Sequence, residues 1–272
     1  VICSDKTGTL TKNEMTVNSI YTGGSLFKVK GSGYRPEGCF LDQNGDEIEP
    51  TVPSLQLMLL GGLLSSDASL EEDGQGYEII GDPTEGALVV VAAKGGLERE
   101  QAEKEYPRVA EIPFDSARKM MTTFHPMGGG VRSFTKGAPD VLLARCSSVL
   151  TPKGSEPMLP AVRTLLVDTN AQLASQGQRV LALACRRWQA VPSQPTTENS
   201  EQDLTFVGFF VMQDPARPEA GEAVAVASRA GIRTVMITGD HPRTATAIAG
   251  ELDMWRTGEG ALTGAELERL DE

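Results

Sequence analysis

The sequence predicts an α/β fold in which a parallel sheet, formed by both ends of the chain, carries a large inserted α+β domain. Residues 1–4 resemble the end of a buried strand, which the turn SDKTGTLT leaves. The last third of the chain reads as strand LTFVGFFVMQD, a helix, strand RTVMI and a helix, the order typical of parallel sheets with crossovers. Between these ends, short β-like runs alternate with glycines. We therefore expect three segments: 1–13 and 214–272 in the sheet, and 14–213 as the insertion.

Composition limits the function classes. The chain has 272 residues, 40% of them apolar, and a net charge of −12, which argues against binding to nucleic acid. Its four cysteines form no CxxC pair and it has two histidines, so neither a zinc ribbon nor a redox motif is indicated. The most apolar run, LMLLGGLL (57–64), is too short to cross a bilayer. We expect a soluble polypeptide with reduced thiols.

The first half of the insertion predicts strands followed by two helices. MTVNSIY, SLFKVKG and FLDQNG have the pattern of strands, and SLQLMLLGGLLSSDASL that of a helix. In the next helix, DPTEGALVVVAAKGG, Asp82 fits the N-cap, Pro83 the first position and Glu85 the third position of a capping box. Gly95 and Gly96 are suited to end it.

The second half of the insertion predicts further strands and helices. EIPFDSARKMMTTF, VRSFTKG and RVLALACRRW are expected to be strands, and VPSQPTTENSEQD a surface loop. APDVLLARC is expected to be a helix with Pro139 near its start, and PAVRTLLVDTNAQLASQG a helix ended by Gly177. Beyond the insertion, RPEAGEAVAVASRAG and HPRTATAIAGEL are the expected crossover helices.

The turn SDKTGTLT carries the parts needed for phosphoryl transfer. A carboxylate such as Asp5, on a turn after a strand, can attack phosphorus and become an acyl phosphate. Lys6, Thr7 and Thr9 supply a cation and hydroxyls for the phosphoryl oxygens, and Gly8 allows close backbone approach. The alternative interpretation is that Asp5 caps a turn and the threonines are solvated.

The string DKTGTLT resembles the phosphorylation motif of P-type ATPases, the ion pumps that form an aspartyl phosphate. Six further segments have counterparts in the order of that family, so the resemblance covers essentially the whole chain: GDPTEGAL (81–88), PFDSARK (113–119), TKGAPD (135–140), RVLALA (179–184), DPAR (214–217) and MITGD (236–240). The resemblance implies a haloacid-dehalogenase-like phosphorylation domain, of which 1–13 and 214–272 are parts, and a nucleotide-binding domain over 14–213.

By this resemblance, Asp5 is the catalytic phosphate acceptor. Asp5 and the backbone carbonyl of Thr7 are implied to ligate Mg²⁺, with Lys6 and Thr7 near the phosphate. The related phosphatases typically carry a second aspartate, which acts as acid and base, where this chain has Thr7. Threonine is a poor base at neutral pH, so the acyl phosphate is expected to persist, as a pump requires.

The resemblance also implies an ATP site in the insertion. It stacks adenine on Phe114, for which the alternative is an ordinary core phenylalanine. It puts Lys136, followed by Gly137 and a helix start, at the floor of the pocket, and Lys119 and Arg179 near the nucleotide. The alternative for each of these cations is a solvated surface charge.

Glu85 is open to two interpretations: it completes the capping box unaided, and the family places it near the adenine.

The end of the chain adds a loop and a hinge. Because ligands gather at the carboxyl ends of strands in open α/β sheets, Thr238 and Gly239 are expected to face the phosphoryl group. Asp240 is expected to fix this loop or the hinge. Asp214 and Arg217 resemble the return hinge, although Ala216 stands where the family commonly has proline.

The family's later TGDGxND motif, the lysine upstream of it, the membrane helices and the TGE actuator loop do not occur in this sequence. We therefore expect a piece from the cytosolic face of an integral membrane pump, whose partners are ATP and the missing transmembrane and actuator domains. Such a piece is expected to bind ATP with little or no turnover. GSGYRPEG (31–38) and TGDHPRTATAIA most resemble type II, bacterial calcium-pump-like members. Calcium is thus inferred from relatives.

Two other function classes remain at this point. One is a freestanding haloacid-dehalogenase-like phosphohydrolase, which Thr7 disfavours and which release of phosphate from small phosphomonoesters would support. The other is a nucleotide-binding module without catalysis.

Overall fold

The computed structural model describes residues 1–31, 33–72, 74, 76–175, 178–239, 242–255 and 260–269. The strands are β1 (Ile2–Asp5), β2 (Thr16–Thr22), β3 (Ser25–Val29), β4 (Phe40–Leu41), β5 (Glu47–Ile48), β6 (Ser69–Glu72), β7 (Tyr77–Ile80), β8 (Ala110–Asp115), β9 (Met120–Met127), β10 (Gly130–Gly137), β11 (Cys146–Thr151), β12 (Gly154–Pro157), β13 (Arg179–Trp188), β14 (Leu204–Gln213) and β15 (Thr234–Ile237). The helices are α1 (Pro53–Leu64), α2 (Pro83–Lys94), α3 (Arg99–Glu105), α4 (Pro139–Ala144), α5 (Pro160–Ser175), α6 (Thr197–Ser200), α7 (Pro218–Arg229), α8 (Pro242–Glu251) and α9 (Gly264–Leu267).

A large, mainly antiparallel sheet forms the centre of the insertion. Its main path runs β5-β4-β3-β2-β14-β13-β10-β9-β8, and β11 joins it beside β14 with β12 outside. Helices α1 and α2 cover one face and α4 and α5 the other, since each pair shares a buried cluster with the sheet. This three-layer arrangement buries both faces of the central strands.

Strand β14 lies at the centre of this sheet, within the segment 14–213 expected to form the insertion, and not in a parallel sheet, as its strand–helix–strand–helix pattern had predicted. It pairs antiparallel with β2 and β13, and parallel only with the short β11. Its side chains alternate between the two cores: Phe206 and Phe209 face the α4–α5 layer, whereas Val207 and Phe210 face the α1–α2 layer. Burial on both faces makes an antiparallel strand continuously apolar, which is usually the pattern of a parallel one.

The two chain ends do form a parallel pair. Strand β1 pairs with β15, with Ile2 opposite Thr234 and Asp5 opposite Ile237. Leu10, Ala220, Ile248 and Leu252 form a separate small core beneath it. The haloacid-dehalogenase-like assignment of this pair stays a prediction.

Several other elements differ from the predictions. Helix α1 ends at Leu64 because Ser65 and Ser66 donate their hydroxyls to the carbonyls of Gly61 and Gly62, at 2.7 and 2.8 Å. The segment EIPFDSARKMMTTF is a hairpin, β8 and β9, and not a single strand. The hairpins β6–β7 and β11–β12 and helix α3 were not predicted. The polar loop contains the short α6. The predicted helix end at Gly177 lies outside the described residues.

Candidate functional site

Asp5 occupies the carboxyl end of β1, where it is exposed. The turn Lys6–Leu10 follows, and its Gly8 has a φ of +74°, a conformation that favours glycine. Because Asp5 is opposite Ile237 in the parallel pair, Thr238 and Gly239 continue from the same edge. The structure thus brings these predicted residues to one sheet edge. Asp240 lies outside the described residues.

Asp214 links the two chain segments that join the sheet pair to the insertion. Its carboxylate accepts from the Thr11 hydroxyl at 2.6 Å and from the Glu14 N–H at 3.2 Å. The buried Lys6 ammonium lies 4.0 Å from the same carboxylate. Asp214 therefore connects the turn after Asp5 to the point where the chain returns from the insertion.

Arg217 crosses the same two segments. Its side chain donates to the carbonyls of Thr11 at 3.0 Å and Gly8 at 3.2 Å, while its N–H donates to the Leu10 carbonyl at 2.8 Å. Thr11 and Ala216 form an isolated antiparallel bridge between the segments. Asp214 and Arg217 hold the two segments together, while their role as a hinge stays a prediction.

Lys136 is buried on β10 and forms an ion pair with Glu85 from α2. Its ammonium lies 2.7 Å from one Glu85 oxygen and donates to the Ser66 hydroxyl at 3.3 Å. Burial lowers the pKa of Lys136, and the negative charge of Glu85 partly opposes that shift. The side chain of Lys136 thus reaches α2, and its expected place at the floor of a nucleotide pocket stays a prediction.

Glu85 does not complete the predicted capping box. The Asp82 carboxylate does accept from the N–H groups of Thr84 and Glu85, at 2.8 and 3.2 Å, as an N-cap should. The second Glu85 oxygen instead accepts from the N–H groups of Asp67 at 2.7 Å and Ala68 at 3.2 Å. The Glu85 carboxylate thus makes a tertiary contact, which no local sequence pattern predicts.

Phe114 lies on β8 with 62% of its surface exposed, which excludes the alternative of an ordinary core residue. Lys119 and Arg179 are exposed too; Arg179 donates to the Thr84 hydroxyl at 2.9 Å, one residue from Glu85. Gly137 is buried, and an added Cβ would lie 2.5 Å from the Lys119 carbonyl. The close approach of β10 to Lys119 explains this glycine without a ligand.

The turn between β8 and β9 is held by an ion pair that the sequence analysis missed. Arg118 lies 2.7 Å from Glu201, a fully buried carboxylate that also accepts from the Thr122 hydroxyl at 2.8 Å. Arg118 donates to the Pro113 carbonyl as well. This pair fixes the backbone on both sides of Phe114. The only local signal was a charged residue at the end of a polar loop.

A cavity of about 460 Å³ lies on the opposite face of the sheet, beside α5. It is lined mostly by apolar side chains, including Tyr21, Leu165 and Phe206, and contains none of the predicted site residues. Within the described ranges, no helix is long and apolar enough to cross a membrane.

Comparison with known proteins decides the family. The family model described as P-type ATPase, cytoplasmic domain N, matches residues 54–219. The chain belongs to this family. The match begins in α1 and ends in α7, and so includes Glu85, Phe114 and Lys136 of domain N. Membership disfavours a freestanding phosphohydrolase.

Curated relatives agree. The chain is 42% identical to a calcium-transporting ATPase of Bacillus subtilis, over 100% of this chain and 31% of that protein. It is 40% identical to the cation-transporting ATPase pma1 of Synechocystis and to a probable cation-transporting ATPase F of Mycobacterium tuberculosis, over 99% of this chain and 30% of each. The chain therefore spans less than a third of the length of these P-type ATPases.

Proposed function

We propose that this chain binds ATP on its domain N, beside Phe114 and Lys136. The observation that carries the proposal is an exposed aromatic ring two strands away from a buried, paired lysine. An exposed ring offers a face on which adenine stacks, and a lysine held at a fixed place offers a cation for an anionic ligand. The cations of Lys119 and Arg179 are the proposed outer contacts of the nucleotide.

We propose that Glu85 serves this site as well as the fold. Its carboxylate holds Lys136 in place and lies at the start of α2, next to the exposed Thr84–Arg179 contact. Gly137 takes part through the close packing of β10 on Lys119. Adenine nucleotides carry both an aromatic face and negative charge, which is the combination that these side chains fit.

In the whole pump, we propose that Asp5 accepts the γ-phosphoryl group of ATP. A carboxylate oxygen attacks the γ-phosphorus, the bond to the bridging oxygen breaks, and ADP leaves with that electron pair. Lys6, Thr7, Thr238 and Gly239 are the proposed neighbours of the transferred group. Thr7 supplies no base, so the acyl phosphate persists.

The proposed Mg²⁺ ligands are Asp5 and the backbone carbonyl of Thr7. Both residues are exposed at the sheet edge and offer oxygen atoms, which Mg²⁺ prefers. Within the described part of the chain, no group of three His, Cys, Asp or Glu side chains is placed to hold a metal. When bound, Mg²⁺ neutralises charge on the phosphates.

We infer further that the parent is a cation pump of calcium type, since the relatives named above include a calcium-transporting ATPase. In that parent, residues 1–13 and 214–272 belong to the phosphorylation domain, 14–213 to domain N, and Asp214 and Arg217 to the hinge between them. The remaining transmembrane and actuator domains are the proposed partners.

Calorimetric titration with ATP tests the nucleotide site. Phe114→Ala should weaken binding by about 1–3 kcal/mol, the usual value of one base–aromatic stack. Leu165→Ala is the matched control, because Leu165 is similarly exposed, at 57%, on the distant α5. Unchanged ATP affinity in folded Phe114→Ala, or an equal loss in the control, would remove Phe114 from the site.

A further inference from the structure

The backbone turn formed by residues 64–68, called here the 64–68 turn, lies between two arginines and Glu85. Arg99 from α3 donates to the carbonyls of Ser66, at 2.8 Å, and Ala68. Arg108, just before β8, donates to the carbonyls of Leu64 and Ser66, each at 3.2 Å. Three carbonyls of the turn therefore accept from guanidinium groups.

The same turn presents its N–H groups to Glu85. The peptide between Ser66 and Asp67 is the clearest case: its oxygen accepts from both arginines, and its N–H donates to the Glu85 carboxylate at 2.7 Å. Two cations on a carbonyl polarise the peptide and strengthen the hydrogen bond that its N–H donates. The hydrogen bonds thus run without a break from the arginines, through this peptide, to Glu85.

The position of Glu85 in turn determines the position of the Lys136 ammonium. With one oxygen held by the turn, its other oxygen is left for the ammonium at 2.7 Å. The Ser66 hydroxyl accepts from the same ammonium. Lys136 is thus held by two groups whose positions depend on the turn.

Each arginine is itself fixed by carboxylates. Arg99 lies 2.8 Å from Glu103, one helical turn further along α3. Arg108 lies 2.6 Å from Asp67 and 2.8 Å from Glu111. A guanidinium with carboxylates on one side and backbone carbonyls on the other has little freedom to move, so it can set the position of the turn.

We propose that Arg99 and Arg108 are positioning residues of the nucleotide site, which hold the 64–68 turn so that Glu85 places Lys136. This inference rests on the proposed function only for the identity of the ligand, ATP, that Lys136 contacts. Neither arginine hydrogen-bonds to Lys136, although the charge of Arg108 also acts on it through space. The contacts that connect the arginines to Lys136 run through the turn and Glu85.

Arg163 provides the matched control. From α5 it donates to the backbone carbonyls of Leu143 and Cys146, which is the same kind of contact on the opposite face of the sheet. Arg163→Gln therefore removes comparable hydrogen bonds to backbone carbonyls at a place unconnected to Lys136. A purely structural role for Arg99 predicts that Arg99→Gln and Arg163→Gln behave alike.

Amide hydrogen exchange and ATP titration test the proposal on the full chain. Arg99→Gln should speed exchange at the N–H groups of Asp67 and Ala68, relative to the other amides, and weaken ATP binding by about threefold to tenfold. Arg163→Gln should do neither. In a Glu85→Gln background, Arg99→Gln should weaken ATP binding no further, because both changes act through one carboxylate. If Arg99→Gln fails to fold, Arg99→Lys replaces it. This variant keeps the positive charge and loses the two-pronged guanidinium that contacts both carbonyls.

The outcomes separate the two proposals. If the wild-type chain binds no ATP, the proposed function fails, while the exchange at Asp67 and Ala68 still tests the arginines. Unchanged exchange at both amides in folded Arg99→Gln overturns the inference. So does an equal loss of ATP affinity in Arg163→Gln, or full additivity with Glu85→Gln.

Discussion

The buried pair of Lys136 and Glu85 couples stability to pH at the level of single residues. Burial lowers the pKa of Lys136 from its ordinary value of 10.5, and Glu85 raises it partway back. The unfolded chain therefore holds the proton over a range of pH in which the folded chain has lost it. Through that range, below 10.5, the contribution of Lys136 to the free energy of unfolding rises with pH. Asp67 and Arg108 are the other charged groups that act on this lysine.

We predict that Glu85→Gln lowers the free energy of unfolding by about 3 kcal/mol at pH 7, since it leaves a buried ammonium without its counter-charge. The loss should shrink as pH rises from 7 to 10, because the variant's Lys136, with a still lower pKa, loses its proton. Urea unfolding of both proteins at several pH values measures this difference.

The double variant Glu85→Gln/Lys136→Met is the control for that prediction. It has no ammonium to neutralise. The difference between its free energy of unfolding and that of the Lys136→Met protein should therefore stay constant across the same pH range. A loss in Glu85→Gln that is equally independent of pH would show that the Lys136 charge is not what Glu85 stabilises.

At the scale of elements, two glycines let α1 lie directly on the large sheet. A Cβ at Gly61 would be 2.6 Å from the Phe134 ring, and one at Gly62 would be 2.8 Å from the Phe210 ring. Both rings are fully buried in the core. The close approach sets the position of α1 and, through its last carbonyls, that of the 64–68 turn.

We predict opposite effects from two glycine-to-alanine substitutions in helices. Gly61→Ala should destabilise the protein by about 1–3 kcal/mol through overpacking. Gly221→Ala in α7, where the added Cβ would meet only Leu252 at 3.9 Å, should stabilise it by up to about 1 kcal/mol through helix propensity. Thermal or urea unfolding measures both changes, and a stabilising Gly61→Ala would contradict the packing described for α1.

Local patterns identified most elements but not their partners. Helix α2 was predictable because Asp82, Pro83 and the closing glycines each act within a few residues. The place of β14 was not, because burial on both faces gives the same apolar run in either kind of sheet. The end of α1 was missed because Ser65 and Ser66 cap it with side chains that are common in helices and turns alike.

In the candidate site too, local sequence predicted some residues, whereas contacts between distant residues were not predicted. Motif strings predicted Asp5, Phe114 and Lys136 as candidate site residues, since each lies in a compact group of unusual residues. The ion pair of Arg118 with Glu201 joins residues 83 positions apart, and the arginine contacts to the 64–68 turn span at least 31. Pairings over such distances depend on tertiary structure, which no short window of sequence contains.

At the scale of the whole molecule, the parallel pair of β1 and β15 is incompletely covered. Ile2 is 46% exposed, Val235 38% and Ile237 58%, whereas parallel sheets are ordinarily buried on both faces. The relatives are about three times as long as this chain. In the whole pump, we propose that further parts of the phosphorylation domain cover these side chains.

We predict that Asp5→Asn in the whole pump abolishes the phosphoenzyme while ATP still binds, because the amide has nearly the same shape and is no usable nucleophile. Labelled ATP with an acid quench measures it, since acyl phosphates survive acid. The same assay on this chain alone should give little label, because Asp5 and Thr7 supply only part of the site. Label retained by the Asp5→Asn pump would exclude Asp5 as the acceptor.

The central claim, that this domain N binds ATP beside Phe114 and Lys136, is tested most directly by NMR titration of the ¹⁵N-labelled chain with ATP. The account predicts saturable shift changes at Asp67, Glu85, Phe114, Lys119 and Lys136, with little change around the apolar cavity at Tyr21 and Leu165. The absence of saturable shifts, or shifts gathered at that cavity with none near Lys136, would contradict it.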